Sequence, residues 1–588
     1  MRKLMAGNEA IARGAYEAGV TVASSYPGTP STEITEFIAK YEEIYSEWAP
    51  NEKVSLEVAI GAAVAGARSI CAMKHVGLNV AADPLFTASY TGVNGGLVIA
   101  VADDPGMYSS QNEQDSRHYA RAAKLPMLEP ADSQECKYFV KIAYRLSEEF
   151  DCPFLLRSTT RISHSRSIVD TKQRIDYQLK DYNKDIQKYV MMPAMGRKRH
   201  LVVEQRMEKL REFANSSELN RIEWGSKEIG VIAGGIDYQY AREAFGDVSY
   251  LKLGLVYPLP DKLLREFAEE VDKLYVVELE PFFEEQIKAL GIKVIGSERL
   301  PVTGELSANQ IRENILEEKV FEEKVEEKGE RALADKEVPV RPPVMCPGCP
   351  HRGSFYVLNK MGLTVTGDIG CYTLGALSPM EALDTCVCMG ASLGMAHGME
   401  KARGADFARN TVAVIGDSTF IHSGITGLID IVYNKGISTV IILDNSITGM
   451  TGHQDNPLTG YTIKGEETRK VDLVKLAEAV GINRVKIVNP FKVREFEETL
   501  REELDSDEPS LLIARQPCVL LKGVDYGGPL MIDNEKCSYC RQCLQIACPA
   551  LVDKGDHVEI DEALCCGCML CTEFCNCDAI VRADDCDE

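Results

Sequence analysis

The strongest constraint on this chain lies in its last 52 residues, Cys537 to Glu588, which hold eleven of its twenty cysteines. The first run reads Cys537-Ser-Tyr-Cys540-Arg-Gln-Cys543-Leu-Gln-Ile-Ala-Cys548-Pro549, and the second Cys565-Cys566-Gly-Cys568-Met-Leu-Cys571-Thr-Glu-Phe-Cys575. Cys-x2-Cys-x2-Cys wraps three thiolates around one compact site, and in two-cluster modules the fourth comes from the other run. The spacing therefore predicts one [4Fe–4S] cluster on Cys537, Cys540, Cys543 and Cys575, and another on Cys565, Cys568, Cys571 and Cys548. Four residues rather than three precede Cys548, so that loop should be enlarged, and Asn576 stands where proline usually follows. Cys566, Cys577 and Cys586 are left without a role. Eight thiolates in two triplet-plus-one runs exceed what a pair of zinc knuckles requires.

A chain of 588 residues exceeds one hydrophobic core and is expected to contain several domains. Its 45% apolar and 26% charged residues are ordinary for a globular protein. A net charge of −24 argues against nonspecific nucleic-acid binding, which needs a basic face. The N-terminus, Met1 to Gly19, lacks the apolar core of a signal peptide and reads as an amphipathic helix. No apolar stretch approaches the roughly 20 residues of a membrane span. Many cysteines without an export signal imply metal sites in a reducing compartment, so a cytoplasmic protein is expected, without membrane or nucleic-acid partners.

Alternating helical and β-rich periods divide the chain. Residues 1–175 form a first α/β segment with strands at Val20–Ser24 and Leu97–Ala102 and a Gly/Ala-rich helix at Val58–Arg68. Residues 176–315 form a second, with a leading helical insert after the basic stretch Gly196–His200 and strands at Ile229–Ala233 and Leu274–Glu278. Residues 316–343 read as a charged linker. Residues 344–525 form a third α/β domain, with strands at Thr411–Ile415, Thr439–Leu443 and Leu511–Ala514, and 526–588 the cysteine-rich tail. No periodic internal repeat is expected.

After the strand Thr411–Ile415 comes Gly416-Asp417-Ser418, and Asp444-Asn445 closes the next strand. The pair resembles the GDG…N signature of thiamine-diphosphate enzymes, with Ser418 in place of the second glycine. Ligands in open α/β sheets sit beyond the carboxyl ends of strands, where both segments fall. A diphosphate held through Mg2+ asks for hard oxygen ligands, which Asp417 and Asn445 would supply. Thiamine diphosphate also needs a carboxylate for activation. Glu57, in Leu56-Glu57-Val-Ala-Ile-Gly-Ala-Ala, is a candidate; an exposed helix-start glutamate favoured by the dipole is the alternative.

With these motifs the chain resembles the 2-oxoacid:ferredoxin oxidoreductases, in their indolepyruvate branch. The resemblance spans nearly the full length and includes Gly7-Asn-Glu-Ala-Ile-Ala12, Tyr26-Pro-Gly-Thr-Pro-Ser-Thr-Glu33, Lys74-His-Val-Gly-Leu-Asn79, Ser109-Ser-Gln-Asn-Glu-Gln-Asp115, Cys346-Pro-Gly-Cys-Pro-His-Arg352 and the enlarged first cysteine run. It implies a fold of several doubly wound thiamine-diphosphate-enzyme-type domains plus a C-terminal two-cluster ferredoxin-like α+β domain. Residues 1–175 would be the pyrimidine-binding type, 176–315 transketolase C-terminal-like and 344–525 the diphosphate- and Mg-binding type. It further implies Glu57 as the activating glutamate, Thr29 near the substrate carboxylate and the Ile447 carbonyl as a third Mg2+ ligand. The implied reaction is oxidative decarboxylation of an arylpyruvate with coenzyme A, passing electrons to ferredoxin, in partnership with a separate beta subunit. Pyruvate or branched-chain 2-oxoacids on the same scaffold, or a non-catalytic electron-transfer subunit, are the alternatives.

Relatives of this family also carry a proximal cluster, whose counterparts here are Cys346, Cys349, Cys371 and Cys518. A third cluster is one reading of these residues. A metal-free turn packed against the cofactor, a redox pair or half a zinc site are others.

Overall fold

The computed structural model describes residues 1–317 and 343–582, and the chain divides into two compact units, 1–332 and 333–588. The expected linker 316–343 falls almost wholly outside the described residues, as does Cys586.

The first unit is built on a seven-stranded sheet. Its order is Leu255–Tyr257, Met127–Leu128, Phe154–Thr159, Leu97–Asp103, Ser69–Lys74, Val22–Ser25 and Tyr45–Trp48, parallel except for the first strand. Leu97–Asp103 and Phe154–Thr159 are buried along their whole length, as expected of covered parallel strands, and their two charged residues, Asp103 and Arg157, pair with each other (2.7 Å). Residues 176–315 add a four-stranded sheet around Ser226–Gly234 and also lend Leu255–Tyr257 to the first sheet. The leading insert is the helix Pro193–Ser216, which absorbs the basic stretch Gly196–His200.

Two local expectations need correction. The N-terminus is a strand, Arg2–Ala6, before the helix Gly7–Glu17, because it pairs antiparallel with Arg166–Asp170, a partner distant in sequence. The Gly/Ala-rich helix runs Glu52–Val64 rather than from Val58 to Arg68. Asn51 caps it by accepting the Val54 N–H (2.9 Å). Gly66 then takes φ +98° and its Cα faces the Lys180 carbonyl, which would lie 2.1 Å from any Cβ.

In the second unit a six-stranded parallel sheet has the order Thr385–Cys386, Thr364–Gly367, Thr411–Gly416, Thr439–Asp444, Ser510–Arg515 and Arg484–Val488. The tail follows as two ribbons, Leu530–Ile532 with Ile580–Arg582 and Leu551–Asp553 with Val558–Ile560. It does contain a repeat. Cys537, Cys540 and Cys543 recur 28 residues later as Cys565, Cys568 and Cys571, and the third cysteine of each triplet lies at the start of a short 3-10 turn. Tyr539 and Arg541 are left-handed (φ 51° and 60°), as are their counterparts Gly567 and Met569 (72° and 63°). Two copies are too few, and too diverged outside the cysteines, to show as periodicity. Among the described residues no helix is long and apolar enough to cross a membrane.

One buried charge anchors the first helix. Glu17 is fully buried and ion-paired with Arg13 (3.1 Å), Lys141 (3.0 Å) and Lys137 (3.5 Å), and it accepts the Lys172 N–H (2.6 Å). Burial opposes its ionisation, but these donors outweigh that and hold its carboxyl below the ordinary value. Its contribution to stability is therefore present above the unfolded carboxyl pKa and lost as pH falls through the lower folded one. Glu17→Gln should cost about 3 kcal/mol at neutral pH, read as a lower urea midpoint, and the deficit should shrink toward acid pH.

Candidate functional site

Each large sheet has one place where consecutive connections leave in opposite directions. In the first unit the chain runs from Val22–Ser25 outward to Tyr45–Trp48, then returns to Ser69–Lys74 on the other side. The crevice beyond Ser25 and Lys74 is the topological switch point, where open α/β sheets bind ligands. Thr29 lies in the loop that enters it, half-buried, its carbonyl accepting the Ser109 hydroxyl (3.2 Å). Gly28 lets that loop lie on the Lys74 side chain, since a Cβ there would be 3.2 Å from Lys74 Cδ. Lys74 is buried and donates from Nζ to the Ser109 carbonyl (2.9 Å). Burial pulls its ammonium down to about 8, with Asp104 and Glu52 only partly restoring it. Asp104 ties the 109–110 loop down by accepting the Ser109 N–H (2.8 Å) and the Ser110 hydroxyl (2.7 Å).

Glu57 sits on the exposed face of the helix Glu52–Val64, ion-paired with Lys53 one turn earlier. Glu52, in the first turn of the same helix, is buried instead, its Oε1 packed where a Cβ on Gly77 would stand at 2.5 Å. Sequence reading passed over Glu52 and gave Lys74 no role, because neither burial nor the depressed ammonium is visible in a one-dimensional motif.

In the second unit the chain goes from Thr364–Gly367 to Thr385–Cys386 on one side and to Thr411–Gly416 on the other, so the switch point lies between Asp368 and Asp417. Asp417 opens the next helix, which passes through a π-helical turn at Phe420–Gly424, a distortion often found at functional sites. Its Oδ1 accepts the Ser418 N–H (2.8 Å), while Oδ2 has no partner among the described residues although Asp417 is 2% exposed. Burial, reinforced by Asp444, pushes its carboxyl well above the ordinary range. A buried carboxylate oxygen with no donor fits a site for a hard cation.

Asn445 and Ile447 lie in the next strand-end turn, both nearly buried. The Asn445 side-chain oxygen accepts the Ile447 N–H (3.3 Å), and its amide nitrogen lies 3.5 Å from His351 Nε2. Burial pulls the His351 ring down to about 4, so it is neutral at physiological pH. Gly416 is buried in the turn before Asp417, and Ser418 accepts the Thr448 hydroxyl (2.9 Å).

The thiols converge on three places. Cys543 feels the charges of Cys540, Cys575 and Cys537, and Cys571 those of Cys548 and Cys565. Cys548, Cys565, Cys568 and Cys571 line one small cavity whose other walls are mainly apolar, among them Leu530, Ile546 and Leu570. Backbone N–H groups already point at two sulfurs, Leu530 at Cys565 (3.4 Å) and Ala579 at Cys575 (3.2 Å). Cys346, Cys349, Cys371 and Cys518 form a third group. Cys349 interacts with Cys346 and Cys371, Cys371 with Cys346 and Cys518, and Cys518 with Cys346. Burial pushes the Cys349 thiol up to about 12, so a metal there must displace its proton. This third group abuts the Asn445 turn: the Cys518 N–H donates to the Asn445 carbonyl (2.9 Å), and Cys371 Sγ lies 3.5 Å from where a Gly449 Cβ would stand.

Comparison with known proteins matches residues 13–228 to the profile described as pyruvate flavodoxin/ferredoxin oxidoreductase, thiamine diP-binding, and 368–514 to that of the thiamine pyrophosphate enzyme C-terminal TPP binding domain. The indolepyruvate oxidoreductase subunit IorA of Archaeoglobus fulgidus is 41% identical over 97% of this chain and 96% of its own length. That of Pyrococcus abyssi is 39% identical over 99% and 97%. The 2-oxoglutarate synthase subunit KorA of Archaeoglobus fulgidus is 24% identical over 47% of this chain and 88% of its own. A solved 2-oxoglutarate:ferredoxin oxidoreductase from Magnetococcus marinus is 20% identical, with a TM-score of 0.46, over 53% of this chain and 65% of its own. The near-full-length identity and the two thiamine-diphosphate domains agree with the arrangement of the sheets: the chain belongs to the thiamine-diphosphate-dependent 2-oxoacid:ferredoxin oxidoreductases, in the branch of the indolepyruvate oxidoreductase IorA subunits.

Proposed function

We propose that the chain oxidatively decarboxylates arylpyruvates, indolepyruvate foremost, with coenzyme A as acyl acceptor and ferredoxin as electron acceptor, paired with a separate beta subunit. The observation that carries the reading is the adjacency of the third thiol group to the Asn445 turn, whose backbone Cys518 bonds. A decarboxylase that kept its electrons would have no use for thiols at that point. The substrate class rests on the names of the relatives, which are indolepyruvate enzymes at 38–41% identity.

Thiamine diphosphate, when bound, supplies the electron sink for loss of CO2. The chain's own residues do the rest. Asp417 Oδ2, Asn445 and the Ile447 carbonyl would hold Mg2+ against the diphosphate, with Gly416 and Ser418 shaping the turn. Thr29 and the Lys74 ammonium would receive the substrate carboxylate at the first switch point. Glu57 would activate the cofactor. Glu52 is a second reading for that role, favoured by its burial, since a desolvated carboxylate is the better general base. The tail would be a ferredoxin-like domain with two [4Fe–4S] clusters, the Cys346, Cys349, Cys371 and Cys518 group holding a third.

Three measurements test this. With viologen as acceptor, indolepyruvate should turn over faster than phenylpyruvate and pyruvate; faster turnover of pyruvate would overturn the arylpyruvate assignment. Glu57→Gln should abolish turnover with iron content unchanged; full activity in Glu57→Gln and none in Glu52→Gln would move the role to Glu52. Lys74→Met should raise KM for every 2-oxoacid by roughly tenfold or more, the worth of a charge-assisted hydrogen bond. In the wild type KM should climb above about pH 8, where Lys74 loses its proton, and be flat there in Lys74→Met. A depressed lysine pKa has the opposite sign for stability: between about 8 and the ordinary 10.5 the unfolded chain binds the extra proton, so the fold gains stability as pH rises. Rising KM thus cannot be ascribed to unfolding through this group.

A further inference from the structure

Arg352 closes the turn Cys346-Pro-Gly-Cys-Pro-His-Arg352 and is 2% exposed. Its guanidinium reaches four backbone carbonyls. Nε donates to Cys346 (2.9 Å), one terminal nitrogen to Met345, and the other to Ile546 (3.2 Å) and Ala547. Cys346 opens the turn itself and Met345 immediately precedes it, while Ile546 and Ala547 immediately precede Cys548 in the tail. Among the described residues no carboxylate pairs with it. A buried guanidinium satisfied only by neutral carbonyls keeps an uncompensated charge, and such a charge is costly unless an anion lies near.

Foremost among the groups around it that can carry negative charge are Cys548, Cys349, Cys346 and Cys568. Two of these belong to the proximal set and two to the set lining the tail cavity, which Arg352 itself also lines. The two loops touch: a Cβ on Gly348, between Cys346 and Cys349, would stand 2.2 Å from Cys566 Sγ. Gly348 takes φ +70° and has no side chain to keep them apart.

We infer that Arg352 is the shared counter-charge of two neighbouring iron–sulfur clusters, the proximal one and the one on Cys548, Cys565, Cys568 and Cys571, and that it raises the reduction potential of both. Each cluster gains one negative charge when it accepts an electron. A fixed cation beside it stabilises the reduced form more than the oxidised one, and the more so in a site that excludes water. One charge placed between the two lifts both together, which makes electrons easier to load from a 2-oxoacid without changing the potential gap between the clusters. Arg352 acts here as a positioning and tuning residue. Its fork onto the Ile546 and Ala547 carbonyls also fixes the distance at which the charge is felt.

The inference rests on the cluster reading above, so iron is counted first in the full chain. About twelve iron atoms per chain supports three clusters, and about eight would remove the proximal one and leave the inference to stand or fall on the Cys548 cluster alone. Anaerobic redox titration followed by electron paramagnetic resonance then compares wild type, Arg352→Gln and Arg352→Lys. Arg352→Gln should shift both potentials to more negative values, and Arg352→Lys, which keeps the charge but loses the fork, should restore most of the shift. Unchanged potentials in Arg352→Gln would overturn the inference. So would a shift in Arg352→Lys as large as in Arg352→Gln, which would make the carbonyl bonds rather than the charge responsible. Should Arg352→Gln hold less iron than wild type, Arg352→Lys decides: near-wild-type potentials support the role and displaced ones refute it.

Discussion

Between Leu530 and Arg582 the chain buries few large apolar side chains, and most of them, Leu530, Ile546, Ile560, Leu570, Phe574 and Ile580, are continuous with the core around Val412, Val414, Leu443 and Leu512 of the six-stranded sheet. The same core includes Cys349 and Cys571, with Cys543, Cys548, Cys565, Cys568 and Cys575 packed against it. A segment of this length cannot build a sufficient core from carbon alone and ordinarily needs metal or disulfide support. The shared core answers that need and has a functional consequence. It brings the tail's thiols against the turn Cys346–Arg352, and through Cys518 and Cys371 against Asp417 and Asn445. Under the proposed function, packing and electron transfer depend on the same contacts.

The two large sheets solve their part of the problem by one rule. In each, the reversal of strand order opens a crevice at the carboxyl edge, and the chain fills it with a glycine-bearing loop and a buried ionisable group. In the first unit that group is Lys74, beside Gly28 and Thr29. In the second it is Asp417, with an oxygen that no donor satisfies among the described residues. Under the proposed function, a cation for the substrate carboxylate and an anion for Mg2+ supply complementary parts of the chemistry that thiamine diphosphate enzymes carry out on 2-oxoacids.

Much of this was legible in the sequence because it is carried by short-range spacing. Cysteine triplets fix their own loop geometry, and the strand followed by Gly416-Asp417 announces a strand-end turn wherever the sheet places it. What escaped depends on tertiary contacts. The N-terminal strand exists only through its pairing with Arg166–Asp170, and the strand Leu255–Tyr257 leaves its own segment to join another sheet. The burial that separates Glu52 from Glu57, five residues apart on one helix, comes from packing against Gly77. Lys74 and Arg352 stand inside motifs whose spacing says nothing of burial, and the groups that face them, Ser109 and the Ile546 and Ala547 carbonyls, are distant in sequence.

The central claim is that electrons released at the Asp417 turn pass directly to thiol-bound iron on the same chain. It is tested most directly by adding indolepyruvate anaerobically, without external acceptor, to the iron-loaded assembled enzyme and recording electron paramagnetic resonance. The account predicts reduced-cluster signal in wild type and its loss in Asp417→Asn at equal iron content. Equal signals in the two proteins would contradict it.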